Sequence, residues 1–150
     1  MITFRVVSTP AAKGSLKAIA VKGRIILTST SRNLKTWEAA VADAARAAIP
    51  VLYPAGVGVR VAIEFVLPRP KDHPKTKERD HTSKPDIDKL LRALLDGLTG
   101  VAFADDSQVC RVVVAKRYAG LVEQPGAIVT VDRTRAERDS ILELDTHARG

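Results

Sequence analysis

The chain has little of what would place it outside the cell or in a membrane. There is one cysteine, Cys110, so no internal disulfide can form and a disulfide-braced secreted domain is excluded. No apolar run reaches the roughly 18 residues of a membrane span, and the start shows no basic-then-apolar pattern of a secretion signal. The expected compartment is the cytoplasm. Cys110 lies in an apolar run and is expected to be a small core residue, not a nucleophile or ligand. Aromatics make up only 4% of the residues. Base-stacking or wedge side chains therefore cannot be picked out from Phe4, Trp37, Tyr53, Phe65, Phe103 and Tyr118, most of which core packing would claim.

What the chain does have is apolar aliphatic residue and positive charge. It is 45% hydrophobic, with a net charge of +7 over 150 residues, enough for one domain with a real core. The charge favours a polyanionic partner, nucleic acid before an anionic membrane. It is unevenly placed. Residues 1–84 hold 15 Lys and Arg against 6 Asp and Glu, whereas residues 85–107 hold 2 against 5. The acids of that second stretch run against the trend of the chain.

Alternation of Ile2, Phe4 and Val6 with polar neighbours predicts a first strand, and Gly23–Leu27 a second, together a broad hairpin across a surface loop at 8–22. Leu34, Trp37, Val41, Ala44, Ala45 and Ala48 recur at helical spacing between the cap candidates at 29–33 and Pro50. Trp37 is expected to anchor packing. Val57, Val59, Val61, Ile63 and Phe65 alternate as a central strand covered in part on both sides. Val109–Tyr118 and Ala127–Val131 predict two further strands joined as a hairpin through 120–126. Residues 132–150 are expected to be a polar tail or a short helix after a domain at 1–131.

Between the strands lies PRPKDHPKTKERDHTS, residues 68–83, whose three prolines exclude ordinary helix or strand. On its own it is either a solvated loop or an arm that tracks phosphates. Its place beside the acids favours the arm, with Arg69, Lys71, Lys75, Lys77, Arg79, Lys84 and Lys89 as candidate DNA contacts. A metal site at His73 and His81 is not expected, because nothing else nearby supplies soft ligands at the usual spacing.

The acids fall in two tight pairs, Asp86 with Asp88 and Asp105 with Asp106, separated by the leucine-rich helical pattern of Leu90, Leu91, Leu94, Leu95 and Leu98. An extended entry would turn Asp86 and Asp88 to one side and Ile87 to the core. Along the helix Asp88, Arg92 and Asp96 share a face. Converging carboxylates repel unless a cation relieves them. Mg2+, which takes one or two carboxylates and keeps several waters, would do so beside a phosphate and activate water there. Taken singly, Asp88 is a cap and Asp105-Asp106 a turn. Together, in a basic chain, they fit a metal-dependent nuclease equally well.

The run KPDIDKLLRALLDGLTGVAFADDSQV, residues 84–109, resembles the signature of the RusA-type Holliday junction resolvases. There, D-x-D, an amphipathic helix with an internal Asp, and D-D-x-Q-V follow in this order. The N-terminal strand, the Trp-bearing helix and the strand ending in LPRPK agree, so the resemblance covers about residues 1–131. It implies an α+β (mixed α/β) fold in a single compact domain, with a mixed β-sheet and two main helices, assembled as a homodimer. The implied activity is Mg2+-dependent symmetric cutting of four-way DNA junctions in recombination and repair, in a bacterial host and typically from a bacteriophage or prophage. By position, Asp86, Asp88 and Asp106 match the catalytic carboxylates, and Asp86, Asp88, Asp105 and Asp106 the metal-binding set. Asp96 matches a supporting acid.

Two positions depart from the family pattern. Lys89 stands where Asn is frequent, and Arg92 where the helix carries a catalytic lysine. Arginine can neutralise a phosphate but cannot readily release a proton; Lys89 is another candidate for that part. The competing readings are a DNA-binding module with weak or absent catalysis and a Mg2+-dependent phosphoesterase for small substrates.

Overall fold

The longest alternating stretch of the sequence becomes the interior of a sheet. In a computed structural model, residues 1–14, 17–28, 33–73 and 78–135 are described. In chain order the elements are strands β1 (Ile2–Val7), β2 (Lys17–Val21) and β3 (Arg24–Thr28), helix α1 (Leu34–Ala48), strand β4 (Val59–Leu67), helix α2 (Ile87–Leu98), a 3-10 turn (Asp106–Gln108), and strands β5 (Val109–Tyr118) and β6 (Gly126–Arg133). The main sheet runs β1-β6-β4-β5. β5 lies parallel to β4 and the other neighbours pair antiparallel. The result is a single domain built from a mixed sheet and two helices.

One face of the sheet carries the core. Val59, Val61, Ile63 and Phe65 of β4 line up with Ala127, Val129 and Val131 of β6, and meet Trp37, Val41 and Ala45 of α1 and Leu90, Leu94 and Leu98 of α2. Trp37 is fully buried, its ring 6.5 Å from that of Phe65, and so acts as the packing anchor expected of it. The C-cap of α1 is Ile49, already extended, as the following Pro50 requires.

The pairing of strands differs from the local expectation in two places. β1 does not form a hairpin with the next strand. It pairs with β6, Ile2 opposite Val131, while β2 and β3 make their own two-stranded ribbon. Residues 17–21 are thus strand within the stretch taken for loop. Likewise β5 and β6 are not a hairpin, because β4 sits between them. The strand at β4 begins at Val59, two residues later than the alternation suggested.

Cys110 is exposed rather than buried. Val59 pairs with Val109 and Arg60 with Arg111, which leaves Cys110 as the extra residue of a bulge that turns it outward. The tail at 136–150, and the cap candidates at 29–32, lie outside the described residues. No helix among the described residues is long and apolar enough to cross a membrane.

α2 approaches α1 through Gly97. A methyl group there would lie 2.9 Å from Cγ1 of Val41 and 3.3 Å from the Glu38 carbonyl oxygen. Val41 is fully buried and stiff at its branch point, so the contact cannot relax cheaply. Gly97→Ala should gain about 1 kcal/mol of helix propensity and lose about 1–3 kcal/mol to overpacking. A net fall in stability is expected, read from the urea midpoint at unchanged slope.

The crossing loop between β5 and β6 is held by charge. Arg117 donates through Nη1 and Nη2 to both carboxylate oxygens of Glu123, at 2.6 and 2.8 Å, and through Nε to Glu64 on β4. The Gly120 N–H adds a bond to Glu123 at 2.9 Å. These bonds, those from Arg117 first, hold the Glu123 carboxyl down to about 2, from an ordinary 4.5. Stability from this tie is complete above 4.5 and drains away as pH falls toward 2. Glu123→Gln should lose about 1–2 kcal/mol at neutral pH and flatten the stability curve between pH 4.5 and 2, as urea titrations across that range would show.

Candidate active site

The site is organised by the rotation of α2. Leu90, Ala93, Leu94, Gly97 and Leu98 are buried, and this stripe turns the opposite face outward. Asp88, Arg92 and Asp96, spaced four residues apart, then line a cavity of about 520 Å³ together with Lys13, Leu91, Leu95 and Asp106. The shared face of Asp88, Arg92 and Asp96 is as the spacing implied. Two helical turns between Asp88 and Asp96 give the cavity a length of roughly 12 Å. Among the described residues, the side chains of Asp88 and Arg92 make no hydrogen bond or ion pair.

The D-x-D pair divides at the helix start. Asp86 is the extended N-cap residue, its side chain making no cap bond, and the helix begins at Ile87. The extended entry thus ends one residue too early to turn both carboxylates to one side. Asp86 lies 3.6 Å from Lys89 Nζ and does not line the cavity. Ile87 is half-buried. Asp88 stands in the first helical turn, where the helix dipole favours a carboxylate.

The D-D pair keeps its side chains in contact, but its two members take different surroundings. Asp105 caps the 3-10 turn: its Oδ1 accepts the Ser107 N–H at 2.8 Å, and its own N–H donates to Gln108 Oε1 at 2.9 Å. The hydrogen bonds from Ser107 hold its carboxyl below the usual range. Asp106, next along, faces the cavity. Gln108 is buried, and its Nε2 donates to the carbonyls of Tyr53, Pro54 and Val57 at 3.3, 2.7 and 3.0 Å. It ties the turn that presents Asp106 to the segment before β4. The fixed place of this glutamine in D-D-x-Q-V was the available signal for its importance.

Lys13 was not singled out from the sequence. Its backbone N–H donates to the Lys89 carbonyl at 3.1 Å, and its ammonium forms an ion pair with Asp96. The hydrogen bond from that ammonium to the Asp96 carboxylate is the main reason the Lys13 pKa is raised. The two residues are 83 positions apart, so no local pattern could join them.

The proline-rich loop packs beside the end of β5. His73 and His81 are both buried against Tyr118, with ring centroids at 5.0 and 4.5 Å, and Arg79 lies over the same ring at 5.4 Å. Arg69 donates to the Ala119 carbonyl at 3.3 Å. Lys71 and Lys84 are exposed, while Lys75 and Lys77 lie outside the described residues. Lys116 Nζ donates to the carbonyls of Ser83 and Pro85 at 2.8 and 3.0 Å, which joins the basic loop to the start of α2.

Among the described residues, no group of three or more acids, histidines or cysteines converges closely enough to hold a metal ion. The cavity instead offers two exposed carboxylates, Asp88 and Asp106, with Asp96 engaged by Lys13. Two hard oxygen donors, with the remaining positions open to water and phosphate, fit the habits of Mg2+.

The sequence profile of the family described as Endodeoxyribonuclease RusA matches residues 8–132. The chain is also similar to a Bacillus subtilis (strain 168) protein described as uncharacterized protein YqaN. The two are 27% identical over 146 residues, a span covering 90% of this chain and 98% of that one. The profile match runs through the basic loop, both acidic pairs and the helix between them, and the chain belongs to the RusA endodeoxyribonuclease family.

Proposed function

We propose that the protein is a Mg2+-dependent endonuclease that resolves four-way DNA junctions by hydrolysing a phosphodiester on each of two strands. The carrying observation is that Asp88, Asp106, Arg92 and Lys13 line one cavity, with a basic loop tied to the entry of its helix by Lys116. Asp88 and Asp106 would hold the metal, with Asp86 supplying a further carboxylate one residue before the helix. When bound, such an ion supplies Lewis acidity to a phosphoryl oxygen and to water. Arg92 opposes the charge that builds on the phosphoryl oxygens as water attacks and the P–O bond opens. The leaving oxygen then takes a proton and the two products are a phosphate end and a hydroxyl end. Asp105 and Gln108 set the turn that carries Asp106.

Arg69, Lys71, Arg79, Lys84 and Lys89, with Lys75 and Lys77, would hold the DNA backbone through phosphate contacts. A junction has two-fold symmetry and paired cuts need two sites, so the working form is a homodimer. A second reading, a junction-binding protein with little catalysis, draws support from the spread of the acids along the cavity and from arginine at position 92.

A labelled four-way junction separates the two. Wild type should cut it with Mg2+ and not in EDTA. Asp88→Asn and Asp106→Asn should each slow cutting by about a hundredfold or more while binding within about threefold of wild type. Asp105→Asn, which keeps a capping group, should cost far less. Binding with no cutting under any divalent metal would establish the second reading, and equal cutting by wild type and Asp88→Asn would remove the assignment of the acids.

A further inference from the structure

The strap that follows β1 delivers a cation into the cavity from outside the motif. Pro10 and Ala11 are buried, and the Lys13 N–H to Lys89 carbonyl bond at 3.1 Å fixes the backbone against the first turn of α2. The ammonium then reaches Asp96, and Lys13 lines the same cavity as Asp88, Arg92 and Asp106. About two-fifths of the Lys13 side chain is exposed, as is about a third of that of Asp96. An ion pair this open to solvent contributes little to stability, so folding alone is a poor account of so well-anchored a lysine.

Its chemistry complements that of Arg92. Arg92 offers a planar fork, whereas a lysine ammonium is a compact charge with three donors on a rotatable stem. Asp96 occupies part of that donor capacity and leaves the rest for an acceptor entering the cavity. We infer that Lys13 is a further substrate-contacting residue, which binds a non-bridging oxygen of the DNA phosphate lodged between Asp88 and Asp106, with Asp96 holding the ammonium in place. This rests on the reading of the cavity as a DNA-cleaving site. It places one contact of the site in the N-terminal strap, so that a residue far from both acidic pairs shapes the binding of the reacting phosphate.

Two measurements test it on wild type, Lys13→Ala and Lys13→Arg. The first is junction affinity against salt concentration in EDTA, where no cutting occurs. The second is single-turnover cutting with Mg2+ at saturating protein. Lys13→Ala should lower the slope of log affinity against log salt by about one phosphate contact, a change of roughly 0.9. It should also slow cutting about 10- to 100-fold at an unchanged melting temperature, and Lys13→Arg should recover the slope. An unaltered slope and rate in Lys13→Ala overturns the inference. So does a melting temperature that falls in Lys13→Ala with a slope that Lys13→Arg fails to recover. A wild type that binds the junction without cutting it defeats the proposed activity while the slope still judges Lys13. A wild type that binds no DNA defeats both.

Discussion

Leu90, Leu94 and Leu98 are each fully buried, and the helix that carries them cannot turn about its axis without bringing leucine into water. Exposing all three would cost roughly 5–9 kcal/mol, comparable to the whole stability of a small domain. That penalty fixes which residues look outward. Gly97 tightens it further, since its missing side chain is what lets Val41 approach. The cavity is therefore a consequence of core packing: once the stripe is seated, Asp88, Arg92 and Asp96 have one direction left to face.

The remaining polar interactions sort five acids into different tasks. Asp86 takes Lys89, Asp96 takes Lys13, and Asp105 spends its carboxylate on Ser107. Asp88 and Asp106 line the cavity, Asp106 with its carboxyl beside that of Asp105. Each of the paired acids is tied to a group that fixes geometry, namely the entry of α2, the strap after β1, or the turn before β5. The sequence motif grades the same acids differently, with Asp86 beside Asp88 and Asp106, whereas in the structure Asp86 stands outside the cavity that Asp88, Asp96 and Asp106 line.

Periodicity made the elements legible but said little about their partners. The alternation of Val59 to Phe65 and the leucine spacing of α2 each report burial on one face of their own element, and both were readable. The pairing of β1 with β6 joins Ile2 to Val131, and nothing local specifies a contact across that distance. The same limit misled the reading of β5 and β6, whose short connection suggests a hairpin although β4 intervenes. At Cys110 a one-residue bulge reversed the direction that an apolar run implies. Within the site, the motif named the acids, and the structure divided them. Lys13 carried no local mark, because its partner comes 83 positions later.

The parallel pairing of β4 with β5 explains why the two acidic pairs can share a cavity at all. Two parallel strands require the chain to return between them, and here α2 makes that return alongside β5. α2 spans roughly 18 Å, and β5 from Val109 to Lys116 roughly 23 Å, so one strand serves both ends of the helix. At its start β5 follows the turn that presents Asp106. Near its end Lys116 grips the carbonyls of Ser83 and Pro85, just before Asp86. A shift of β5 by one residue would move the turn bearing Asp106 and the grip on the basic loop together. The placement of the basic loop and that of the acids are thereby coupled through one strand, whose register is fixed by its pairing with β4 along its length.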